Sequence, residues 1–344
     1  MRRRGFLVAA GAALSKPAAA QEKPAVKFGI DLFSIRSLGW TPFEYLDYCA
    51  SQKARVVHFS EIRFLGGLDE ANLARVRAHA EKLGIELEIG MRSICPTSNL
   101  FDRAQGTAEE QITRMIGAAR TAGSKIVRAF LGNSADRTAE RPIEFHIENT
   151  VRVLRAVRSR VIDSGLKIAI ENHSGDMQAR ELKSLIEEAG RDFVGACIDS
   201  GNPLWTLEDP HLTLEVLHPY ALTSHLRDSA VWRAPEGVAV KWVRVGEGNI
   251  GIDAYIRKYI ELCPGRPLSL EVIVTGPRAF RCFEPEFWSG YRNVRAWEFA
   301  RFLALAEKGR PHQGQPPAPK EQAAVRERED LEASVQYCHK LLGV

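Results

Sequence analysis

In the stretch Lys167-Ile168-Ala169-Ile170-Glu171-Asn172-His173 the side-chain types alternate. Neighbouring side chains of a strand point to opposite faces, so Ile168 and Ile170 share one face while Ala169, Glu171 and His173 share the other. A strand with its apolar face turned outward to helices and its polar face turned to an axis belongs in a closed barrel. Seven further short runs of this kind flank it: Lys27 to Ser34, Arg55 to Ser60, Ile85 to Met91, Lys125 to Leu131, Val194 to Ser200, Leu222 to Asp228 and Pro267 to Val274. The eight starts lie about 27 to 45 residues apart, which leaves room for one helix and two loops each. Between them, Ala71 to Leu83, Ala108 to Ala122, Ile143 to Ser164 and Arg180 to Ala189 repeat apolar residues at three and four spacing, several followed by a Gly suited to a helix C-cap. These spacings predict a (β/α)8 barrel over residues 27–308. A doubly wound sheet is the alternative, but Asp31-Leu32-Phe33-Ser34-Ile35 after the first strand holds no Gly-rich phosphate loop.

The same alternation sorts the polar residues. Glu171 and His173 face the axis at the C-terminal end of the fifth strand, where barrel active sites are built. The sixth strand turns Ala196 and Ile198 outward and Cys197 and Asp199 inward, just before Ser200-Gly201-Asn202. The seventh supplies His225 and Arg227, and the eighth, with Leu268, Leu270 and Val272 outward, supplies Glu271. The layer beneath, formed by Ala169, Cys197, Thr223 and Ser269, is small enough to leave space for an ion. Singly, Asp199 could cap a turn, His225 could be a core histidine, and either glutamate could meet an arginine. Together, three buried carboxylates and an imidazole carry a desolvation cost that a divalent cation offsets directly. Glu171, Asp199, His225 and Glu271 form a mostly hard set, suited to Mn²⁺ or Mg²⁺, with Co²⁺ or Zn²⁺ admitted by the imidazole.

The segments Ile170-Glu171-Asn172-His173, Asp199-Ser200-Gly201-Asn202, His225-Leu226-Arg227-Asp228, Gly246-Glu247-Gly248 and Leu270-Glu271 resemble the xylose isomerase-like TIM barrels, which include sugar isomerases, ketose 3-epimerases, dehydratases and apurinic-site endonucleases. The resemblance covers roughly Lys27 to Lys308 and implies that the four residues hold one metal, with Glu171 and Glu271 as the acid and base. It implies a carbohydrate or keto-sugar substrate whose C–H beside a carbonyl is broken to give an enediolate. Returning the proton to the other face makes an epimerase, and returning it to the neighbouring carbon makes an isomerase. Expelling a β-substituent makes a dehydratase or lyase. The sequence departs from the ketose 3-epimerases at Asn202, where they carry a His, and from the endonucleases at Asp228-Ser229-Ala230, which lacks their extra His. A carbohydrate-binding barrel without activity is a reading of another class, and it predicts a degraded ligand set.

Around this centre, His58, His173, Asn202, Arg227 and Glu247 are candidate substrate contacts. His58 could equally be a buried hydrogen-bonded histidine, Arg227 could neutralise Glu171 or Glu271, and the Gly246 to Asn249 segment could be a plain turn rather than a loop that closes on substrate. Arg128 faces inward in one of two registers. Trp40, Trp205 and Trp232 follow strands one, six and seven and could stack on a sugar or simply pack.

The ends of the chain read differently. Residues 1–20 combine a basic start, an apolar run from Gly5 to Leu14 and the small residues Ala18 to Ala20, a secretory pattern, and Arg3-Arg4-Gly5-Phe6-Leu7 resembles the twin-arginine export signal. The expectation is a periplasmic protein with no stable membrane insertion after cleavage. Of 344 residues, 47 are Lys or Arg and 43 Asp or Glu, but Arg2, Arg3, Arg4 and Lys16 fall in that leader, so the rest is formally neutral. Neutrality disfavours a nucleic-acid partner, which needs concentrated positive charge. The six scattered cysteines form neither a zinc knuckle nor a disulfide framework. Residues 309–344 read as a Pro-rich connector and one amphipathic helix with Leu331, Val335, Cys338 and Leu342 on a face that packs on the barrel or meets a partner subunit, so a homo-oligomer is compatible.

Overall fold

Eight short parallel strands appear where the alternating runs predict them: β1 (Phe28–Asp31), β2 (Val56–Phe59), β3 (Glu86–Ser93), β4 (Ile126–Phe130), β5 (Lys167–Glu171), β6 (Val194–Asp199), β7 (Ala221–His225) and, past an insertion, β10 (Leu268–Leu270). The computed structural model describes residues 26–138, 140–313 and 318–343. The strands are ordered β10-β1-β2-β3-β4-β5-β6-β7. The seam between β7 and β10 closes through Leu226, whose N–H donates to the Ser269 carbonyl at 2.7 Å and whose carbonyl accepts from Glu271 at 3.1 Å. The outward side chains Ile168, Ile170, Ile198, Leu268 and Leu270 are fully buried against the helices.

Those helices are α1 (Pro42–Ser51), α2 (Glu70–Leu83), α3 (Ala108–Ala122), α4 (Ser134–Arg137), α5 (Ile143–Asp163), α6 (Ala179–Ala189), α7 (Pro210–Leu217), α8 (Ile252–Leu262), α9 (Ala296–Lys308) and α10 (Ala323–Leu342). Their ends follow local chemistry. Thr41 and Thr107 each close a capping box with the glutamate three residues on, satisfying first-turn N–H groups. Gly84 and Gly123 end α2 and α3 in the left-handed conformation that glycine adopts at little cost.

Five strand ends differ from the sequence reading by two residues or more; the fifth strand stops at Glu171, which leaves His173 in the loop after it, and the third runs on to Ser93. The first strand stops at Asp31, whose carboxylate accepts the Phe33 N–H at 2.6 Å and turns Leu32–Ile35 into a 3₁₀ helix. The eighth has only three paired residues. The seventh stops at His225, and the chain then forms a hairpin of β8 (Asp228–Ala234) and β9 (Gly237–Val243), joined by β11 (Arg278–Phe280) into a three-stranded antiparallel sheet on which α9 packs. Val238, Val240 and Trp242 give β9 the period-two pattern, which the search for long-spaced parallel strands passes over.

Helix α10 rests on the barrel, with Leu331, Val335 and Cys338 buried. It lies along the 3₁₀ turn after β1 and along β10. The Glu327 carboxylate there accepts both the N–H and the hydroxyl of Ser37 at 2.8 Å. This C-terminal helical extension covers the junction of the last and first strands of the barrel. The predicted leader and the connector residues Pro316 and Pro317 lie outside the described residues.

Candidate metal centre

Glu171 ends β5, Asp199 ends β6, His225 ends β7 and Glu271 follows β10, so four neighbouring strands point their C-terminal residues at one spot on the axis. All four are buried, and one ligand-type atom from each lies within 4.8 Å of the others. His225 Nδ1 stands 3.1 Å from Glu171 Oε2 and 3.0 Å from Glu271 Oε2. Despite that approach, His225 Nδ1 makes no hydrogen bond, and neither does Asp199 Oδ2. The other Asp199 oxygen accepts the N–H groups of Gly201 at 2.7 Å and Asn202 at 2.6 Å, which fixes the carboxylate with Oδ2 turned to the cluster beside Arg227. Buried polar atoms that converge without hydrogen bonds fit a cation between them. The oxygen-rich set with one imidazole fits a divalent ion of the Mn²⁺, Mg²⁺ or Zn²⁺ type.

Two guanidinium groups flank this centre. Arg128, on β4, faces inward and donates from Nε to Glu171 Oε2 at 2.5 Å. Arg227 donates to Glu271 Oε2 from Nε at 3.1 Å and from Nη2, and its Nε lies 2.8 Å from Asp199 Oδ2. Burial would raise both glutamates, but Arg128 beside Glu171 and Arg227 beside Glu271, each with His225, hold them well below the usual carboxylate range. Burial dominates at Asp199 and pushes it up to about 7. At His225 burial favours the neutral ring, and Cys197, Glu171, Glu271 and Asp31 outweigh it, so positive charge is favoured at the centre.

The remaining predicted contacts fall in different places. Asn202 donates from Nδ2 to Glu171 Oε1 at 3.1 Å. His58 is fully buried, with its Nδ1 2.8 Å from His225 Nε2. His173 lies beside the cluster, where its ring stacks on Phe130 at 3.8 Å and its Nδ1–H donates to the Gly132 carbonyl at 2.6 Å. Burial pulls His173 down to about 4, so it is neutral at ordinary pH. Glu247 is not brought to the cluster. Its half-exposed side chain has its nearest charged partner in His312 at 3.8 Å. Its turn is pinned by Asp228 Oδ2, which accepts the N–H groups of Gly246 at 2.9 Å and Gly248 at 3.0 Å. Trp40 packs on Tyr45 and Tyr48, and Trp232 is buried in the antiparallel sheet.

Asp31 and Glu88 were missed by the sequence reading. Asp31 Oδ2 lies 3.1 Å from His225 Nε2, and its Oδ1 accepts the Ser60 hydroxyl at 2.8 Å. Glu88 reaches into the layer expected to be empty, where its Oε2 accepts the Thr223 hydroxyl at 2.6 Å and lies 3.8 Å from His58 Nδ1. Asp31 had a signal, since it ends a strand one place after the outward Ile30. Glu88 had none beyond its alternation with Leu87 and Ile89.

Comparisons with known proteins agree with this architecture. The model of the xylose isomerase-like TIM barrels matches residues 36–288. Among curated proteins, a 3-oxo-isoapionate decarboxylase of Pectobacterium atrosepticum is 22% identical over 211 residues, covering 61% of this chain and 69% of that protein. Among solved structures, the D-psicose 3-epimerase of Clostridium cellulolyticum H10 with D-tagatose superposes with a TM-score of 0.61 at 12% identity, covering 92% of this chain and 99% of that one. The IolI protein with a bound zinc atom superposes with a TM-score of 0.56 at 15% identity, covering 83% and 100%. At those identities the two structures speak for the fold alone.

Proposed function

Since the chain belongs to the xylose isomerase-like TIM barrel family, whose relatives include enzymes, we propose that it is a metal-dependent sugar isomerase or epimerase that holds one divalent ion on Glu171, Asp199, His225 and Glu271. The observation that carries the reading is the approach of His225 Nδ1 to both glutamates without a hydrogen bond. When bound, such an ion polarises the carbonyl and hydroxyl oxygens of a keto-sugar and lowers the cost of breaking the C–H between them. The protein's own groups do the proton work. Glu171 and Glu271 are held ionised by Arg128 and Arg227, so either can take the proton as a base. The C–H electron pair forms the new C=C bond of the enediolate while the carbonyl π pair moves onto its oxygen; the first glutamate returns its proton to the next carbon to isomerise, or the other glutamate, carrying a proton from solvent, delivers it to the opposite face to epimerise. Asn202 Nδ2 holds Glu171 by its second oxygen while this occurs. A lyase reading is favoured by the decarboxylase relative: there the C–C bond to a carboxylate breaks, CO₂ leaves, and the electron pair forms the same kind of enediolate, which a proton then quenches.

We also take residues 1–20 as an export signal that delivers the barrel to the periplasm, where the partner is a small carbohydrate. The test begins with metal analysis of the mature protein from the periplasmic fraction, followed by solvent deuterium incorporation into a panel of free sugars and keto-glycosides. About one divalent ion per chain, lost in Glu271→Gln and His225→Ala, with deuterium entering a carbon beside a carbonyl, is the expected result. No metal in the wild type overturns the mechanism and leaves a binding barrel. An Arg3→Lys/Arg4→Lys precursor that still reaches the periplasm overturns the twin-arginine route, and a wild-type chain that is not exported overturns the address.

A further inference from the structure

Four flat groups stack in a column that starts at the metal centre. The Arg227 guanidinium, which holds Asp199 and Glu271, lies 4.4 Å from the Trp242 ring centre. Trp242 stacks on Trp205 at 4.2 Å with their planes 6° apart. On the far face of Trp205, the Arg278 guanidinium lies 4.2 Å from the ring centre. Trp242 is fastened by its Nε1–H to the Gly201 carbonyl at 3.2 Å, and the Trp205 carbonyl accepts the Tyr291 hydroxyl at 3.1 Å. The column is therefore a built wall. Its members come from the segments after β6 and β7, from β9 and from β11, which follows β10, so its outer end belongs to the same barrel face as the catalytic glutamates.

The outer end carries an unanswered charge. Among the described residues, the other partly or fully buried arginines, Arg36, Arg128, Arg137, Arg180, Arg227, Arg244, Arg301 and Arg326, each meet a carboxylate. Arg278 is half-buried and meets none; its polar partner is the Ser134 hydroxyl, to which Nη2 donates at 2.8 Å. Beside it, the Trp205 Nε1–H is shielded from solvent and has no hydrogen-bond partner. A half-buried cation without a carboxylate next to an orphaned indole donor is a place that suits an anion.

We propose that Arg278, with Ser134 and the Trp205 indole, binds a carboxylate of the substrate, so that the enzyme acts on an acidic sugar of the keto-aldonate or keto-uronate class. The proposal rests on the sugar-enediolate reading and narrows its substrate. One guanidinium and one hydroxyl match a monoanion, whereas the other cation of this wall, Arg227, is already paired with Asp199 and Glu271 and is not at hand to meet a dianionic phosphate. Arg278 is three stacking distances from Arg227. The carboxylate is thus a handle at the rim and not a group attached to the carbon that loses its proton.

Matched probes test it on the metal-loaded protein: keto-uronates, with D-fructuronate against D-fructose as the pair that differs by a carboxylate at the end far from the ketone, and D-fructose 6-phosphate for a phosphate at that same end. Affinities are measured by titration calorimetry on the wild type, Arg278→Gln and Arg278→Lys, with metal content determined in parallel. The expectation is at least tenfold tighter binding of an acidic sugar than of its neutral counterpart, a loss of about tenfold or more in Arg278→Gln for the acid only, and partial recovery in Arg278→Lys. Preference for the neutral or phosphorylated probes, no binding of any acid, or an equal loss for acid and neutral sugars in Arg278→Gln overturns the assignment. If the protein binds metal and exchanges deuterium only into neutral sugars, the carboxylate proposal fails while the isomerase reading stands; absence of metal removes both.

Discussion

Asp31 shows how a residue that touches no substrate can decide what the proposed metal site is worth. It offers Oδ2 to the Nε2 side of His225, while Ser60 and the Phe33 N–H hold its other oxygen. A carboxylate that accepts the outer N–H of a ligating imidazole fixes its tautomer and raises its basicity. Asp31→Asn keeps the shape and the contacts to Oδ1 but removes the charge. It should weaken divalent-metal binding about 10- to 100-fold, measured by competition with a chelator, while leaving the unfolding transition in place. Unchanged affinity would remove Asp31 from the centre. The four ligand positions were legible because each stands at an inward place of a strand whose outward neighbours are plainly apolar. Arg128 was left open between two registers, and only its pairing with Glu171 settles which way it points.

At the scale of elements, α10 is an extension that packs on the barrel wall. Leu331 is fully buried where α10 meets the junction of the first and last strands. Leu331→Ala should cost about 3 kcal/mol of stability, read from denaturant unfolding, because the removed atoms leave a cavity that a helix pinned through Glu327 and Asp330 cannot close. A loss under about 1 kcal/mol would mean that the helix detaches easily. The amphipathic face was readable from Leu331, Val335 and Cys338. Its docking place was not, because periodicity names the buried face and leaves the neighbour unstated. The hairpin of β8 and β9 was missed for a related reason: its period-two pattern is local, and nothing in it says that it leaves the barrel and packs under α9.

The whole molecule buries more carboxylate than the centre uses, and its stability should record that. Glu208 is fully buried and its carboxyl is pushed up to about 7, although its Oε2 accepts the Ala179 N–H and the Thr213 hydroxyl. Between roughly pH 4.5 and 7 the unfolded chain ionises this group while the folded chain keeps it protonated, so its contribution is full below about 4.5 and is lost as pH rises through 7. Glu208→Gln removes the ionisation, so the unfolding temperature of the wild type should fall relative to the variant as pH is raised from 4.5 to 8. The expected divergence is on the order of 3 kcal/mol, a shift of several degrees for a chain of this size. Parallel profiles would show that Glu208 ionises normally in the fold. By itself the sequence determined the barrel, the four inward positions that converge on its axis and the formal neutrality of residues 21–344, because alternation, helical spacing and residue count are properties of the chain read locally. The partners of those residues were decided by the tertiary structure alone. That Asp31 backs His225, that Arg128 and Arg227 divide the two glutamates, and that Arg278 is left without an acid depend on which strand ends and loops meet across the axis. Those meetings join residues up to some 240 positions apart, as between Ser34 and Val272, and they follow from barrel closure, which no local pattern encodes.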